Sequence, residues 1–299
     1  MQRWRNDDPQ GERGTMASAR PFITHIIALV NIKGGVGKSV SALFVAWGLA
    51  ILGFRVLLVD MDPQSNTTYS LTGELYEEPE GTLYEVLREQ EPKALRAIIR
   101  PTKNPNLFLA PGSLWLSSTE ADLVSAMARE WKLKTALDEV LPYFHYIILD
   151  TPPNVGLLTI NALVAATDLI IPVYLKLWGL VGVRILNRTL ATLRVKFARF
   201  GLTFPVLGVL VTQVRRPMTK NAADRLEQLR SLYGDKLFAA VIPLNEKVEE
   251  STDQDVSGYD YAPRSPGVVA YSAVVKEILE RVNRQPKEST DPTLQSPGG

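Results

Sequence analysis

Residues 31–40 read Asn31-Ile32-Lys33-Gly34-Gly35-Val36-Gly37-Lys38-Ser39-Val40, a glycine-rich turn between two apolar stretches. The stretch before it, 23–31, is an apolar run of strand type. The stretch after it, 39–52, has the make-up of a helix that Gly53 would stop. Strand, glycine turn and helix in that order build a phosphate-binding loop. Glycines bring backbone N–H groups close to phosphate oxygens, and the helix N-terminus adds the positive end of its dipole. In that setting Gly34, Gly35, Val36, Gly37, Lys38, Ser39 and Val40 would line the phosphates of a nucleotide. Lys38 would reach the β- and γ-phosphates, and the Ser39 hydroxyl would ligate Mg²⁺. The ordinary pattern, G-x-x-x-x-G-K-[ST], is not strictly met. Ile32 stands at its first glycine position, and an additional lysine, Lys33, precedes the double glycine.

Outward from this loop, strand and helix signals alternate. The runs RVLLVD (55–60), YIILD (146–150) and LIIPV (169–173) predict strands buried on both faces, with further strands at 107–110, 206–212 and 237–242. Helices are expected at 92–99, 118–129, 132–141, 178–199, 219–232 and 268–282. The class is therefore α/β: one doubly wound, mostly parallel sheet with helices on both faces, over about 21–284. Residues 1–20 and 285–299 are polar and carry Pro and Gly, so a disordered arm and a disordered tail are expected, with Met16 as an alternative start.

Composition removes several chemistries. With 299 residues, 45% of them hydrophobic, the chain can bury a large core. Zero cysteines exclude disulfides, iron–sulfur ligation and thiol nucleophiles. The two histidines, His25 and His145, sit in apolar runs, so no histidine-based metal or catalytic centre is expected. No apolar run approaches the ~20 residues of a membrane span. The first 20 residues contain charges but no apolar segment of the secretory type, so a cytoplasmic protein is expected.

Acidic residues collect where such a sheet binds ligands. Asp60 and Asp62 lie at the end of one apolar strand and Asp150 ends another, and ligands of open α/β sheets gather at those carboxyl ends. Carboxylates two residues apart on a strand share a face, here toward phosphates and Mg²⁺. Phosphoryl transfer depends mainly on positioning and electrostatics, so the lack of a histidine base is no obstacle.

Lys33–Ser39, KGGVGKS, resembles the deviant Walker A motif of the ParA/MinD family of P-loop ATPases. LLVDMDPQSN (57–66) and YIILDTPPN (146–154) are similar to that family's second motif and Walker B strand. GLLTINAL (156–163), VIPLNEKVEE (241–250) and APRSPGVVAY (262–271) extend the likeness over about 25–280, nearest the partitioning branch. The resemblance implies ATP and Mg²⁺ as cofactors and an ATP-dependent sandwich homodimer. Lys33 would then act across the interface on the partner's phosphates, as an arginine finger does. It also implies that Lys33, Lys38 and Asp62 are catalytic, with Asp62 positioning the water. Asp60 and Asp150 would hold the hydrated Mg²⁺ together with Ser39. Adenine would lie near Thr212, Gln213, Pro243 and Asn245.

The net charge of +1 conceals an asymmetry. Between Asp168 and Asp224 lie 55 residues without one acid, holding nine bases: Lys176, Arg184, Arg188, Arg194, Lys196, Arg199, Arg215, Arg216 and Lys220. On a helix over 178–199, Arg184, Arg188, Arg199 and Lys196 fall at about 0°, 40°, 60° and 120°, a single basic face. Its natural partner is a phosphate backbone bound without sequence reading, and Arg215, Arg216 and Lys220 would extend that DNA surface. Two departures from the family fall at its edge. Leu244 stands where relatives commonly have arginine, and the acidic VEESTDQDVSGYD (248–260) replaces their SEAPSxGKP segment.

The leading expectation is thus a ParA-like DNA-segregation ATPase, nucleoid-associated, whose hydrolysis a centromere-binding ParB-like partner stimulates. A MinD-like membrane ATPase would need an amphipathic C-terminal helix, but the tail after Asn283 is polar and carries Pro286, Pro292 and Pro297. Positioning of a protein cargo by the same DNA-bound cycle is the other alternative. Nitrogenase-type relatives need cysteine ligands, which this chain lacks.

Overall fold

The computed structural model describes residues 23–284 apart from 89, 125, 254 and 255, so the expected arm and tail lie outside the described residues. Strand β1 (His25–Leu29) runs into the glycine turn and helix α1 (Lys38–Ile51). Strand β2 (Val56–Asp60) precedes two short helices, α2 (Asn66–Thr72) and α3 (Leu83–Leu87). Strands β3 (Arg100–Pro101) and β4 (Leu107–Ala110) lead to α4 (Leu116–Asp122), α5 (Lys132–Asp138) and β5 (Tyr146–Asp150). Then come α6 (Leu157–Ala165), β6 (Asp168–Tyr174), α7 (Leu177–Phe197), β7 (Val206–Thr212) and α8 (Lys220–Tyr233). Helices α9 (Glu246–Asp253), α10 (Gly258–Tyr261) and α11 (Pro266–Arg284) follow.

The seven strands form one sheet in the order β3-β4-β2-β5-β1-β6-β7. Only the short β3 runs antiparallel to its neighbour, and the other pairs are parallel. The expected doubly wound α/β architecture is therefore present. Strand alternation divides the core in two. Ile26, Ala28 and Val30 face a cluster that takes in α3 to α8, whereas Ile27 and Leu29 face one built on α1 and α11. Both faces are covered, which is why the central strands read as unbroken apolar runs.

Several expected elements differ. The helix expected at 92–99 shrinks to a single 3₁₀ turn, Leu95–Ala97, because Lys93 is tied back to Glu85. Its amide bonds the Glu85 carbonyl at 2.9 Å and its ammonium the carboxylate at 2.5 Å. The helix expected at 118–129 ends at Asp122, and that at 132–141 ends at Asp138, before a 3₁₀ turn at Leu141–Tyr143 that contains Pro142. The expected strand 237–242 is two isolated bridges to β7, Val209 with Leu237 and Val214 with Pro243. Phe238 and Ile242 donate to Val209 and Val211, so four residues of this segment span two of β7. The chain between them bulges outward, and the Ala239 amide bonds the Glu277 carboxylate on α11 instead. Helices α2, α3, α6, α9 and α10 were not among the expected ones.

Helix α1, which follows the glycine turn, is locked to the far end of the chain by aromatic rings. Phe44 stacks on Tyr271 with centroids 4.5 Å apart and meets Trp47 and Tyr259 at 5.4 and 5.7 Å. The Tyr271 hydroxyl lies 3.0 Å from the Ser41 hydroxyl, so its buried polar end is satisfied. We expect Phe44→Ala to cost about 3–5 kcal/mol, the usual range for a fully buried phenylalanine. Urea unfolding checks this; an unchanged midpoint would show that α1 does not depend on the ring cluster.

Candidate nucleotide site

The carboxyl ends of the parallel strands bring the glycine turn together with Asp60, Asp150 and Thr212. Gly35 and Gly37 adopt left-handed φ of +70° and +78°, which a side chain would resist. The turn is held from β7. Thr212 Oγ1 donates to the Val36 carbonyl at 2.8 Å and shares a longer contact, 3.2 Å, with Val173. Gln213 Nε2 donates to the Gly35 carbonyl at 3.0 Å. Residues expected beside adenine thus grip the phosphate loop's own backbone. Pro243 and Asn245 lie alongside, on the bridged segment that follows the bulge.

A second anchor was not anticipated. Asn31 is buried, donates through Nδ2 to the Pro172 carbonyl at 2.7 Å and accepts the Lys33 amide at 3.1 Å. It ties the start of the loop to β6 and fixes the backbone of Lys33, whose side chain is exposed. The only sequence signal was its place immediately before the loop. The two loop lysines therefore differ sharply. Lys38 is 6% exposed, with Nζ 3.4 Å from the Lys33 carbonyl. Burial pulls its pKa below the usual lysine value, and the charges of Asp150 and Asp62 oppose that shift.

The three acids are all buried but are treated differently. Asp60 and Asp150 are partners across the paired strands β2 and β5. Asp60 Oδ2 accepts the Thr68 amide at 2.8 Å and the Thr68 hydroxyl at 2.7 Å, and its Oδ1 accepts the Asp62 amide at 3.2 Å. Burial still raises its pKa to about 6. Asp62 accepts the Gln64 amide at 3.0 Å, and burial raises its pKa as well. Asp150 is raised most, first by burial and then by the Asp60 charge. Neither of its carboxylate oxygens has a hydrogen-bond partner at close range, although the Ser39 hydroxyl is near enough to offset part of the shift. A fully buried carboxylate without partners is costly, and a cation or ordered water relieves it. Asp150, with Ser39 at the start of α1, therefore fits a divalent cation brought in with nucleotide phosphates. Among the described residues no cluster of three or more His, Asp or Glu side chains makes a ready-made metal site, so phosphates would supply further ligands.

The basic residues are less unified than the helical wheel implied. Helix α7 ends at Phe197, so Arg199 lies on the following 3₁₀ turn, where its guanidinium sits 4.7 Å from the Phe200 ring centroid. Arg184 and Arg188 line a groove of about 510 Å³ between α7 and α8, floored by Leu180, Val183 and Leu229. Arg194 is structural, donating to the carbonyls of Thr203 and Phe204 at 2.8 and 3.1 Å. Lys196, Arg215, Arg216 and Lys220 are exposed.

A left-handed glycine turn at the start of a helix, a buried lysine and an unpartnered strand-end aspartate define a P-loop nucleotide-binding protein. Comparison with known proteins narrows this. A family model described as an AAA domain matches residues 24–200. The sporulation initiation inhibitor protein Soj of Bacillus subtilis (strain 168) is 36% identical over 253 residues, 85% of this chain and 97% of that protein. The chromosome partitioning protein ParA of Myxococcus xanthus (strain DK1622) is 33% identical over 277 residues, covering 91% and 92%. Among solved structures, apo McdA from Cyanothece superposes with a TM-score of 0.75 at 26% identity, covering 86% of this chain and 99% of that one. A cobyrinic acid a,c-diamide synthase from Mycobacterium smegmatis, bound to an ATP analogue and magnesium, gives 0.73 at 29% identity, covering 88% and 97%. The chain belongs to the ParA/MinD family of P-loop ATPases, with its ParA partitioning members.

Lys38→Ala is expected to weaken nucleotide binding by about 100-fold or more, the scale of losing a buried charge contact. A fluorescent-nucleotide titration, with thermal unfolding as the folding control, measures it. Unchanged affinity would detach Lys38 from the phosphates.

Proposed function

We propose that this ATPase is a DNA-partitioning protein that works as an ATP-dependent sandwich dimer. The observation that carries the reading is the split between its two loop lysines. Lys38 is buried against the acids of its own site, whereas Lys33 is exposed on a backbone that Asn31 holds in place. A fixed, outward-facing cation beside the phosphates suits a partner's nucleotide, and it makes turnover depend on dimerisation. The bound Mg²⁺ would neutralise charge on the β- and γ-phosphates. Asp150 and Ser39 would hold it, and Asp62 would orient the attacking water. That water forms the new bond to the γ-phosphorus as the bond to the β–γ bridging oxygen breaks, giving ADP and phosphate, with the water's proton passing to the phosphate.

The acid-free stretch supplies the DNA contacts in this reading. Arg215, Arg216 and Lys220 follow β7, close in sequence to the loop-gripping Gln213, while Arg184, Arg188 and Lys196 lie on α7 and Arg199 on the 3₁₀ turn after it. A dimer doubles these contacts, so DNA affinity would follow the nucleotide. A ParB-like partner would stimulate hydrolysis and release the dimer from a nucleoid in the cytoplasm. Among the described residues no helix is long and apolar enough to cross a membrane.

Binding to DNA is expected to require ATP, to ignore sequence and to fall by orders of magnitude between about 50 and 200 mM salt, as for several phosphate contacts. Mobility shifts with ATP, with ADP and without nucleotide, on two unrelated duplexes, test this. Arg184→Glu with Arg188→Glu should weaken both duplexes equally while leaving ATP affinity intact. Binding that ignores nucleotide and salt, or that selects one duplex, would end the partitioning reading.

A further inference from the structure

The resemblance placed Asp60 beside the Mg²⁺ ion, but its hydrogen bonds point to a different task. Both of its oxygens are engaged by protein donors at 2.7, 2.8 and 3.2 Å, whereas its neighbour Asp150 has none. The hydroxyl that donates to Asp60 belongs to Thr68, which is completely buried in α2. That same hydroxyl accepts the Gly112 amide at 2.9 Å. The links form a continuous chain: Gly112 amide to Thr68 hydroxyl, Thr68 hydroxyl to Asp60, and Asp60 to the Asp62 amide. Gly112 follows β4, so the chain joins two neighbouring strand ends and the first turn of α2. Space there is tight. A Cβ on Gly112 would stand 2.9 Å from the Asp60 carbonyl oxygen and 3.1 Å from its carboxyl carbon. A hydroxyl that donates one bond and accepts another also fixes its own proton, so the carboxylate cannot turn freely.

We propose that Thr68 is a positioning residue for ATP hydrolysis, acting through Asp60 to fix the backbone that carries Asp62. The proposal rests on the reading that Asp62 orients the attacking water. Asp150 then serves the cation, and Asp60 serves the loop. Without the Thr68 hydroxyl, the Asp60 carboxylate loses one of its two donors on Oδ2 and gains freedom to rotate. The Asp62 amide is then no longer held, and its side chain drifts from the water it must orient. Displacements of that kind cost up to about 100-fold in rate while leaving ground-state contacts to phosphate in place.

The test compares Thr68→Val, which keeps the shape and removes the hydroxyl, with Thr68→Ser, which keeps the hydroxyl. Asp62→Ala is the reference. Full-length protein is assayed for kcat, KM for ATP, Mg²⁺ half-saturation, fluorescent-nucleotide affinity, thermal unfolding and amide deuterium uptake over 61–68. Thr68→Val is expected to lower kcat about tenfold or more, with nucleotide affinity within about threefold, and to speed uptake around Asp62. Thr68→Ser is expected to restore most of kcat. If Thr68→Val does not fold, Thr68→Ala, which retains the amide donor, carries the same comparison. A kcat within about twofold of wild type overturns the proposal, as does a loss that follows only the folded fraction. A loss cured by excess Mg²⁺ returns Asp60 to the cation and also overturns it. If Asp62→Ala itself turns over normally, the reading of Asp62 has failed. If Asp62→Ala is slow and Thr68→Val is not, only the present proposal has failed.

Discussion

Two carboxylates buried side by side across β2 and β5 are the constraint around which this site is arranged. Strands in register are about 4.8 Å apart, so Asp60 and Asp150, both fully buried, share one patch of low dielectric. Burial raises the pKa of both, and the Asp60 charge raises Asp150 further. The fold resolves the conflict asymmetrically. Asp60 is satisfied by Thr68 and the Asp62 amide. Asp150 is left facing the charge of Lys38, without a hydrogen-bond partner of its own. An uncompensated buried carboxylate is expensive, and a cation held there would offset that cost.

The glycine turn answers the same constraint from the other side. Its left-handed glycines would leave it mobile if it were held only by its own ends. Instead its carbonyls are gripped by Thr212 and Gln213 from β7, and its first amide by Asn31, itself bonded to β6. The phosphate loop is thus clamped by three side chains that need touch no nucleotide. Pre-set donors do not have to be reorganised when phosphate arrives, and electrostatic sites gain most from such rigidity.

What could be read in the sequence was whatever had a local signature. The strands RVLLVD and YIILD are buried on both faces and so read as unbroken apolar runs. The glycine turn is dense enough in Gly and Lys to stand out between them. Thr68, Gly112 and Asn31 had no comparable signal, because each matters through a partner distant in the chain: Thr68 meets Gly112 across 44 positions, and Asn31 meets Pro172 across 141. The segment 237–242 was misread for a related reason. Its apolar pattern suits a strand, yet the Glu277 carboxylate on α11 takes the Ala239 amide and turns the pairing into two isolated bridges. The short helices α2, α3, α9 and α10 were missed because tertiary packing, rather than a long periodic face, defines a helix of four to eight residues.

The placement of α7 connects the basic surface to the loop more directly than the sequence suggested. Gly182, one turn from the helix start, lies so close to the loop that a Cβ there would stand 3.3 Å from Asn31 Oδ1 and 3.4 Å from Lys33 Cβ. A side chain there would press on both residues, so glycine lets α7 run close to the asparagine that holds the Lys33 backbone. Arg184 and Arg188 follow on the same helix, at the groove against α8. Those arginines therefore sit on the same helix whose Gly182 packs beside the asparagine that holds the Lys33 backbone. The helix that carries the charge and the loop that carries the exposed lysine are therefore neighbours in space, although far apart in the chain.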